Sequence, residues 1–170
     1  MTKNAPLSLL LLLTLHFSLM SCTAFKPLSS AETTTEPKEE DALRQGVVDY
    51  AQQFVGTHYR AAGKNPEGFD CSGFTGYVMG HFGIKLSASS KYQENDGKKI
   101  PVEEVLPGDL MFFRRDKSST VFHVAIVISN DQDGLYVVHS TSARGVVVDN
   151  IKKSSYWSAK YATACRVIKP

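Results

Sequence analysis

Cys71 stands in Gly68-Phe69-Asp70-Cys71-Ser72-Gly73-Phe74, where a glycine-bounded turn would deliver a thiol to the first turn of a helix. Downstream, His123 and His139 each lie inside a run that reads as a β-strand. A thiol at a helix start, with two imidazoles on strands behind it, is the set of groups that nucleophilic attack on an amide requires. The sulfur must lose its proton, a base must lie within hydrogen-bond reach, and a third group must hold that base in one orientation. Cysteine and histidine also bind zinc, but there is no C-x-x-C, no H-E-x-x-H, and one cysteine near the histidines. Neither a metal nor an organic cofactor is expected.

Whether the histidines can meet is a question of register. In 122–128, His123, Ala125 and Val127 share a face; in 135–139, Leu135, Val137 and His139 do. Ser129-Asn130-Asp131-Gln132-Asp133-Gly134 is dense in turn residues, which predicts a hairpin. Paired positions in a hairpin have a constant index sum. A turn centred on Asp131 gives 262 and sets His123 opposite His139; a turn centred on Gln132 gives 264 and makes them diagonal neighbours. An odd sum would put them on opposite faces. A single strand histidine is more often a packing residue than a catalyst, but two on one face with a helix-start cysteine reverse that expectation. His58, beside Tyr59, is a minor rival, and His81 reads as surface or half-buried structure. On this reading His123 takes the Cys71 proton and His139 fixes the far nitrogen of His123. The helix N-terminus favours a thiolate and offers the Cys71 N–H to an oxyanion. Asp70 beside the thiol would raise its pKa unless backbone amides or a cationic substrate group engage the carboxylate; the substrate group is the expectation.

The positioning elements follow from periodicity. Leu43, Val47, Tyr50, Ala51 and Phe54 predict a helix from Ala42 to Val55, stopped by Gly56. A second helix starts at Cys71 behind an Asp70 cap, carries Phe74, Val78 and Phe82 on one stripe, and ends at Gly83. Gly73, Gly76 and Gly80 cost that helix about 1 kcal/mol each against alanine, which predicts close packing against another element. After Pro107-Gly108 the pattern changes to strands at 109–114, 122–128, 135–139, 145–149 and 161–168. Helices first and antiparallel strands second predict an α+β fold.

The N-terminus speaks to location. Lys3 precedes an apolar stretch from Leu7 to Met20, too short and interrupted for a membrane span and suited to a secretory signal. It ends in Leu19-Met20-Ser21-Cys22, similar to a bacterial lipobox. The expected organisation is a lipoprotein signal peptide over 1–21, lipidation of Cys22, a flexible tether over 22–41 rich in Ser, Thr, Pro and Glu, and one domain over 42–170. An ordinary signal peptide cut near Ala24 is the alternative. Thr23, rather than aspartate, after Cys22 points to an outer-membrane anchor facing the periplasm. The net charge of +2 includes Lys3, and so weak an imbalance argues against a nucleic-acid partner. Lipidation leaves Cys71 and Cys165; a bridge between them is the structural alternative, and an unbridged Cys165 would be a small buried hydrophobe.

His58-Tyr59-Arg60, Gly68 to Phe74, Leu106-Pro107-Gly108-Asp109-Leu110-Met111-Phe112-Phe113, His123-Val124 and His139-Ser140-Thr141-Ser142 together resemble the NlpC/P60 cell-wall peptidases, in the same order and over roughly 43–168. The short lipoprotein layout is most similar to the Spr-type murein endopeptidases. The resemblance implies a permuted papain-like α+β fold, with N-terminal helices packed on an antiparallel sheet. It also implies hydrolysis of peptidoglycan stem peptides through a Cys-His-His triad and an acyl-enzyme. The bond would be γ-D-glutamate to the diamino acid, or the D-alanine to diaminopimelate cross-link. The triad carries onto Cys71, His123 and His139, and substrate contacts onto Tyr59, Asp70 and Ser72. A wall-cutting enzyme would also need a regulatory protein partner. Three departures stand out. Leu86-Ser87-Ala88-Ser89-Ser90 lacks the family's usual Pro-Arg, Ala125 replaces a usual glycine, and Ala62 replaces the first of a glycine pair. The basic loop 114–120 either meets substrate carboxylates or is solvated. Rival readings are a catalytically silent wall-binding lipoprotein, and an acyltransferase or amidase using the same triad.

Overall fold

The computed structural model describes residues 36–116 and 118–169. The expected signal peptide, Cys22 and the tether up to residue 35 lie outside the described residues. Helix α1 runs Glu36–Gln52, so it starts six residues before the expected Ala42. The acidic run Glu39-Glu40-Asp41 suits a helix N-terminus, and Glu40 pairs with Arg44 one turn on at 2.7 Å. The helix also stops short of Val55. There the N–H groups of Gln53, Phe54 and Val55 each reach a carbonyl three residues back, a tighter turn.

A two-strand hairpin follows, β1 (Lys64–Asn65) and β2 (Gly68–Phe69), closed by Pro66-Glu67. Helix α2 (Cys71–His81) and the single turn α3 (Ser90–Gln93) are the other α-helices among the described residues, with one 3₁₀ turn at Val102–Glu104. The remaining strands are β3 (Lys98–Ile100), β4 (Leu110–Phe113), β5 (His123–Asp131), β6 (Gly134–Thr141), β7 (Gly145–Asn150) and β8 (Tyr161–Arg166). They form one antiparallel sheet in the order β3-β8-β4-β5-β6-β7. The α+β expectation holds, with all five predicted strands present. The three strands it missed are two or three residues long, too short to show an alternation.

The sheet is covered on both faces. Val47, Phe74, Val78 and Met79 of α1 and α2 pack with Leu110, Phe112, Val124, Ile126 and Val138. On the other face Met111, Phe113, Ala125, Val127 and Val137 pack with Ile151 and Trp157. That is why β4 reads as four consecutive apolar residues rather than an alternation.

The β5–β6 hairpin differs from both expected registers at its turn and agrees with one of them at the histidines. Gln132-Asp133 make a two-residue turn between Asp131 and Gly134, and Asp131 Oδ1 accepts the N–H groups of Asp133 and Gly134 at 2.8 and 3.2 Å. The index sum there is 265, an odd value. A bulge at Ile128 then shifts the ladder, so that Val127 faces Val137 and Ile126 faces Val138 with sum 264. One extra residue returns His123 and His139 to the same face as diagonal neighbours.

Two contacts tie the layers together. Asp109, fully buried, takes Arg44 of α1 at 3.1 Å, Arg166 of β8 at 2.8 Å and the Leu106 N–H at 2.8 Å. Either arginine alone leaves the buried carboxylate one cationic partner, so the two together keep its charge compensated in the interior. At the start of α2, a Cβ on Gly73 would lie 1.9 Å from the Gly63 carbonyl oxygen. Gly73 thus answers the close-packing expectation. Gly76 has nothing nearer than 3.9 Å, and Gly80 has open space. Ala62 holds φ of 56°, the left-handed region that explains glycine as the usual occupant and costs alanine about 1–2 kcal/mol.

A paired substitution separates these roles. In thermal or denaturant unfolding, Gly80→Ala is expected to stabilise by about 1 kcal/mol through helix propensity. Gly73→Ala should destabilise by about 3 kcal/mol, because backbone must move to admit the methyl. Equal effects of the two would contradict the close approach at Gly73.

Candidate active site

The β2–α2 junction is held from three sides. Asp70 caps α2 with extended backbone, its Oδ1 accepting the Gly73 N–H at 2.6 Å and the Ser72 hydroxyl at 2.9 Å. Gln93, fully buried, donates to the carbonyls of Ser72 at 3.0 Å and Ser87 at 2.9 Å and accepts the Thr75 hydroxyl at 2.9 Å. From the sheet, the hydroxyl of Ser140, next to His139, donates to the Phe69 carbonyl at 2.7 Å. The cysteine-bearing turn and the histidine-bearing strand are therefore fastened directly to each other.

Cys71 and His123 line one cleft of about 700 Å³, together with Tyr59, Arg144, Asp149 and Trp157. They arrive from different layers. Cys71 packs against the helix-side cluster, while His123 is the first residue of β5 and shares its face with the opposite cluster. Both line the cleft at the start of β5, where the backbone of Val124 acts on the thiol's electrostatics. Behind His123, its Nε2 lies 3.0 Å from His139 Nδ1, and His139 Nε2 lies 3.0 Å from Asp149 Oδ2. Asp149 also accepts Trp157 Nε1–H at 3.2 Å and both terminal nitrogens of Arg144. The Trp157 ring stacks on His123, with centroids 4.7 Å apart and planes 25° apart. An unbroken polar chain thus runs from the cleft through two imidazoles to a carboxylate and a guanidinium.

The electrostatics differ from the thiolate expected at the helix start. Burial pushes the Cys71 thiol up, the Val124 N–H opposes this, the Asp70 charge adds to it, and the N–H groups of Ser72 and Cys71 pull it down. The net shift is upward, because Cys71 is half-buried and has an anion beside it. Burial also holds His123 well below the ordinary histidine range, reinforced by His139 and opposed by Asp149. His139 is lowered by burial, against the pull of Asp149. Asp149 is likewise lowered, first by the His139 hydrogen bond and also by Arg144, which for a carboxyl favours the charged form. Both shifts favour the uncharged forms of the Cys71 thiol and the His123 imidazole.

The other sequence candidates fall into place around this chain. Tyr59 lines the cleft, and its hydroxyl is raised by burial and by the nearby Cys71 and Asp70. Asp70 and Ser72 are not among the lining residues. Asp70 Oδ1 is engaged by a backbone amide, where a cationic substrate group was expected, and Oδ2 carries no hydrogen bond among the described residues. His58 is exposed outside the cleft, and His81 stacks on Tyr50 at 3.9 Å. In the basic loop, Arg114 is bound to buried Glu94 at 2.7 Å, a structural role, and Arg115 lies over the Phe122 ring. Cys71 and Cys165 are both free thiols, so the alternative bridge is absent. Among the described residues no three His, Cys, Asp or Glu side chains converge as a metal would need.

Sequence reasoning missed Asp149, Arg144 and Trp157. Asp149 was within reach of the same parity argument. In β6–β7, Thr141 faces Gly145 and His139 faces Val147, so Asp149 is the diagonal neighbour of His139 on the same face.

The chain is similar to known proteins in both sequence and fold. Residues 56–166 match the sequence pattern of the NlpC/P60 family. The chain is 37% identical over 138 residues to a gamma-DL-glutamyl hydrolase of Bacillus subtilis, covering 79% of this chain and 32% of that protein. It is 34% identical over 126 residues to a probable endopeptidase NlpC of Escherichia coli, covering 72% and 77% respectively. The crystal structure of an NlpC/P60 family protein from Bacillus cereus superposes with a TM-score of 0.68 at 31% identity, over 74% of this chain and 40% of that one. The chain thus spans only about a third of the first of these relatives.

Alkylation of the folded protein by iodoacetamide, followed by peptide mapping, tests the thiol environments. Cys71 is expected to react and Cys165, fully buried with its thiol pushed up to about 11, to stay unmodified. The Cys71 rate should rise with pH through a midpoint above the ordinary thiol value of about 8.5. A midpoint well below that value would contradict the preference for the uncharged thiol.

Proposed function

This chain belongs to the NlpC/P60 family, and from that membership we propose that it is a cysteine peptidase hydrolysing an amide bond of peptidoglycan stem peptides. The observation that carries the reading is that His123 lines the cleft that Cys71 also lines, with His139 hydrogen-bonded behind it. Cys71 is the nucleophile, His123 the general base and acid, and His139 the group that orients His123. The Cys71 proton passes to His123 Nδ1 as the sulfur bonds to the scissile carbonyl carbon. The Cys71 N–H, at the positive end of α2, stabilises the oxyanion. Collapse breaks the C–N bond, the amine leaves with the proton from His123, and the acyl group stays on the sulfur as a thioester. Water then attacks, His123 takes its proton and returns it to the sulfur, and the carboxylate product leaves.

Substrate recognition is part of the same proposal. Tyr59 on the cleft wall, with the unengaged Asp70 Oδ2 close behind it, suits a free amine at the end of a trimmed stem peptide. That favours cleavage after γ-D-glutamate, in keeping with the name of the Bacillus subtilis relative. The lipobox-like sequence ending at Cys22 supports an exported protein anchored by a lipid. The tether would then let the domain search the wall near its membrane.

Mass spectrometry of purified muropeptides after incubation tests the reading. New amine and carboxylate termini within the stem peptide are expected, with none from Cys71→Ala and a rate about 10²–10⁴-fold lower from His123→Ala. Because His123 acts unprotonated, the acid limb of kcat/KM should fall below the ordinary histidine value of about 6.5. Intact muropeptides bound by both proteins would instead establish a wall-binding lipoprotein, and transferred acyl groups an acyltransferase.

A further inference from the structure

We propose that Asp149 is a positioning residue that sets the direction of the whole hydrogen-bond chain, and so decides which nitrogen of His123 is free to take the Cys71 proton. The inference rests on the amide-hydrolase reading of the same site and adds a fourth member to it.

Asp149 closes the chain at its far end. A carboxylate only accepts hydrogen bonds. Asp149 is kept ionised by three donors, namely His139 Nε2 at 3.0 Å, Trp157 Nε1 at 3.2 Å and the Arg144 guanidinium. Nε2 of His139 must therefore carry the hydrogen. A neutral imidazole has one N–H, so His139 Nδ1 is bare and can only accept. Its partner at 3.0 Å is His123 Nε2, which must then be the donor. That leaves His123 Nδ1 bare, the state a general base needs. Each ring is buried, His139 completely and His123 to within 6%, so bulk water does not compete for the hydrogen bond between them.

Without the carboxylate nothing fixes this direction. The two rings satisfy each other equally well when His139 Nδ1 donates to His123 Nε2. In that arrangement His123 carries its hydrogen on Nδ1 and cannot accept a proton from the sulfur. Two histidines alone thus form a chain of undefined polarity, and Asp149 gives it one polarity. When His123 becomes the imidazolium, the same carboxylate stabilises the positive charge through His139 without taking the proton. Arg144, about half exposed at the cleft, holds Asp149 from the outer side and limits its rotation. Trp157 does the same from within while covering the face of His123.

Imidazole nitrogen chemical shifts in ¹⁵N-histidine-labelled protein, with kcat and KM on muropeptides, test the assignment. In the full chain near neutral pH, His123 should show a bare Nδ1 and a protonated Nε2, and His139 likewise. In Asp149→Ala both rings should exchange between the two forms. kcat should fall about 100-fold, the lower end of what acid–base catalysis supplies, with KM within about twofold. Asp149→Glu, which keeps an acceptor, should restore part of the tautomer order. A native His123 bearing hydrogen on Nδ1, or shifts and kcat unchanged in Asp149→Ala, would overturn the proposal. The shifts need no substrate, so they decide the role of Asp149 even if muropeptides prove to be the wrong substrate.

Discussion

One unpaired residue in β5 governs whether this molecule has a site at all. The hairpin turn at Gln132-Asp133 is set by Asp131 and a glycine in extended positive-φ backbone, and it imposes an odd index sum on the strands. Carried unchanged along the ladder, that register would place His123 and His139 on opposite faces of the sheet. The bulge at Ile128, between the turn and His123, removes the mismatch. Side-chain direction in a strand has a period of two, so a single insertion changes everything beyond it. Bulges near reactive groups commonly re-aim side chains in this way.

Once on one face, the imidazoles sit in surroundings that oppose charge. The site combines a half-buried thiol, two buried rings and an anion at the helix cap, and burial together with that anion favours their uncharged forms. The usual advantage of a helix N-terminus for a thiolate is outweighed here, because its amides are shared with Asp70 and the cysteine is half-buried. In the proposed mechanism, the positive charge that forms on His123 is met by a carboxylate two hydrogen bonds away. Neutral reactants beside a fixed counter-charge favour the transition state over the ground state.

Much of this was legible in the sequence, because it rests on local rules. The Asp70 cap, the five longer strands and the sharing of a face by the histidines all follow from spacing and turn chemistry. The register was foreseen at the histidines for a different reason from the one that operates, since bulges leave no mark in a pattern of apolar residues. Asp149 could have been found by extending the parity argument one hairpin further. Trp157 lies in an irregular segment with no period to read. The roles of Asp109 and Gln93 depend on partners far away in the chain, which only the fold brings together. Burial likewise is a property of the packed layers, so the preference for uncharged forms had no local signal.

The most direct test is a scalar coupling across the hydrogen bond between His123 Nε2 and His139 Nδ1, measured in ¹⁵N-histidine-labelled protein. A resolvable coupling is expected in the intact chain, and its loss is expected when Ile128 is deleted and the sheet otherwise persists by circular dichroism. No coupling in the intact protein, or a coupling that survives the deletion, would contradict the dependence of the site on that one extra residue.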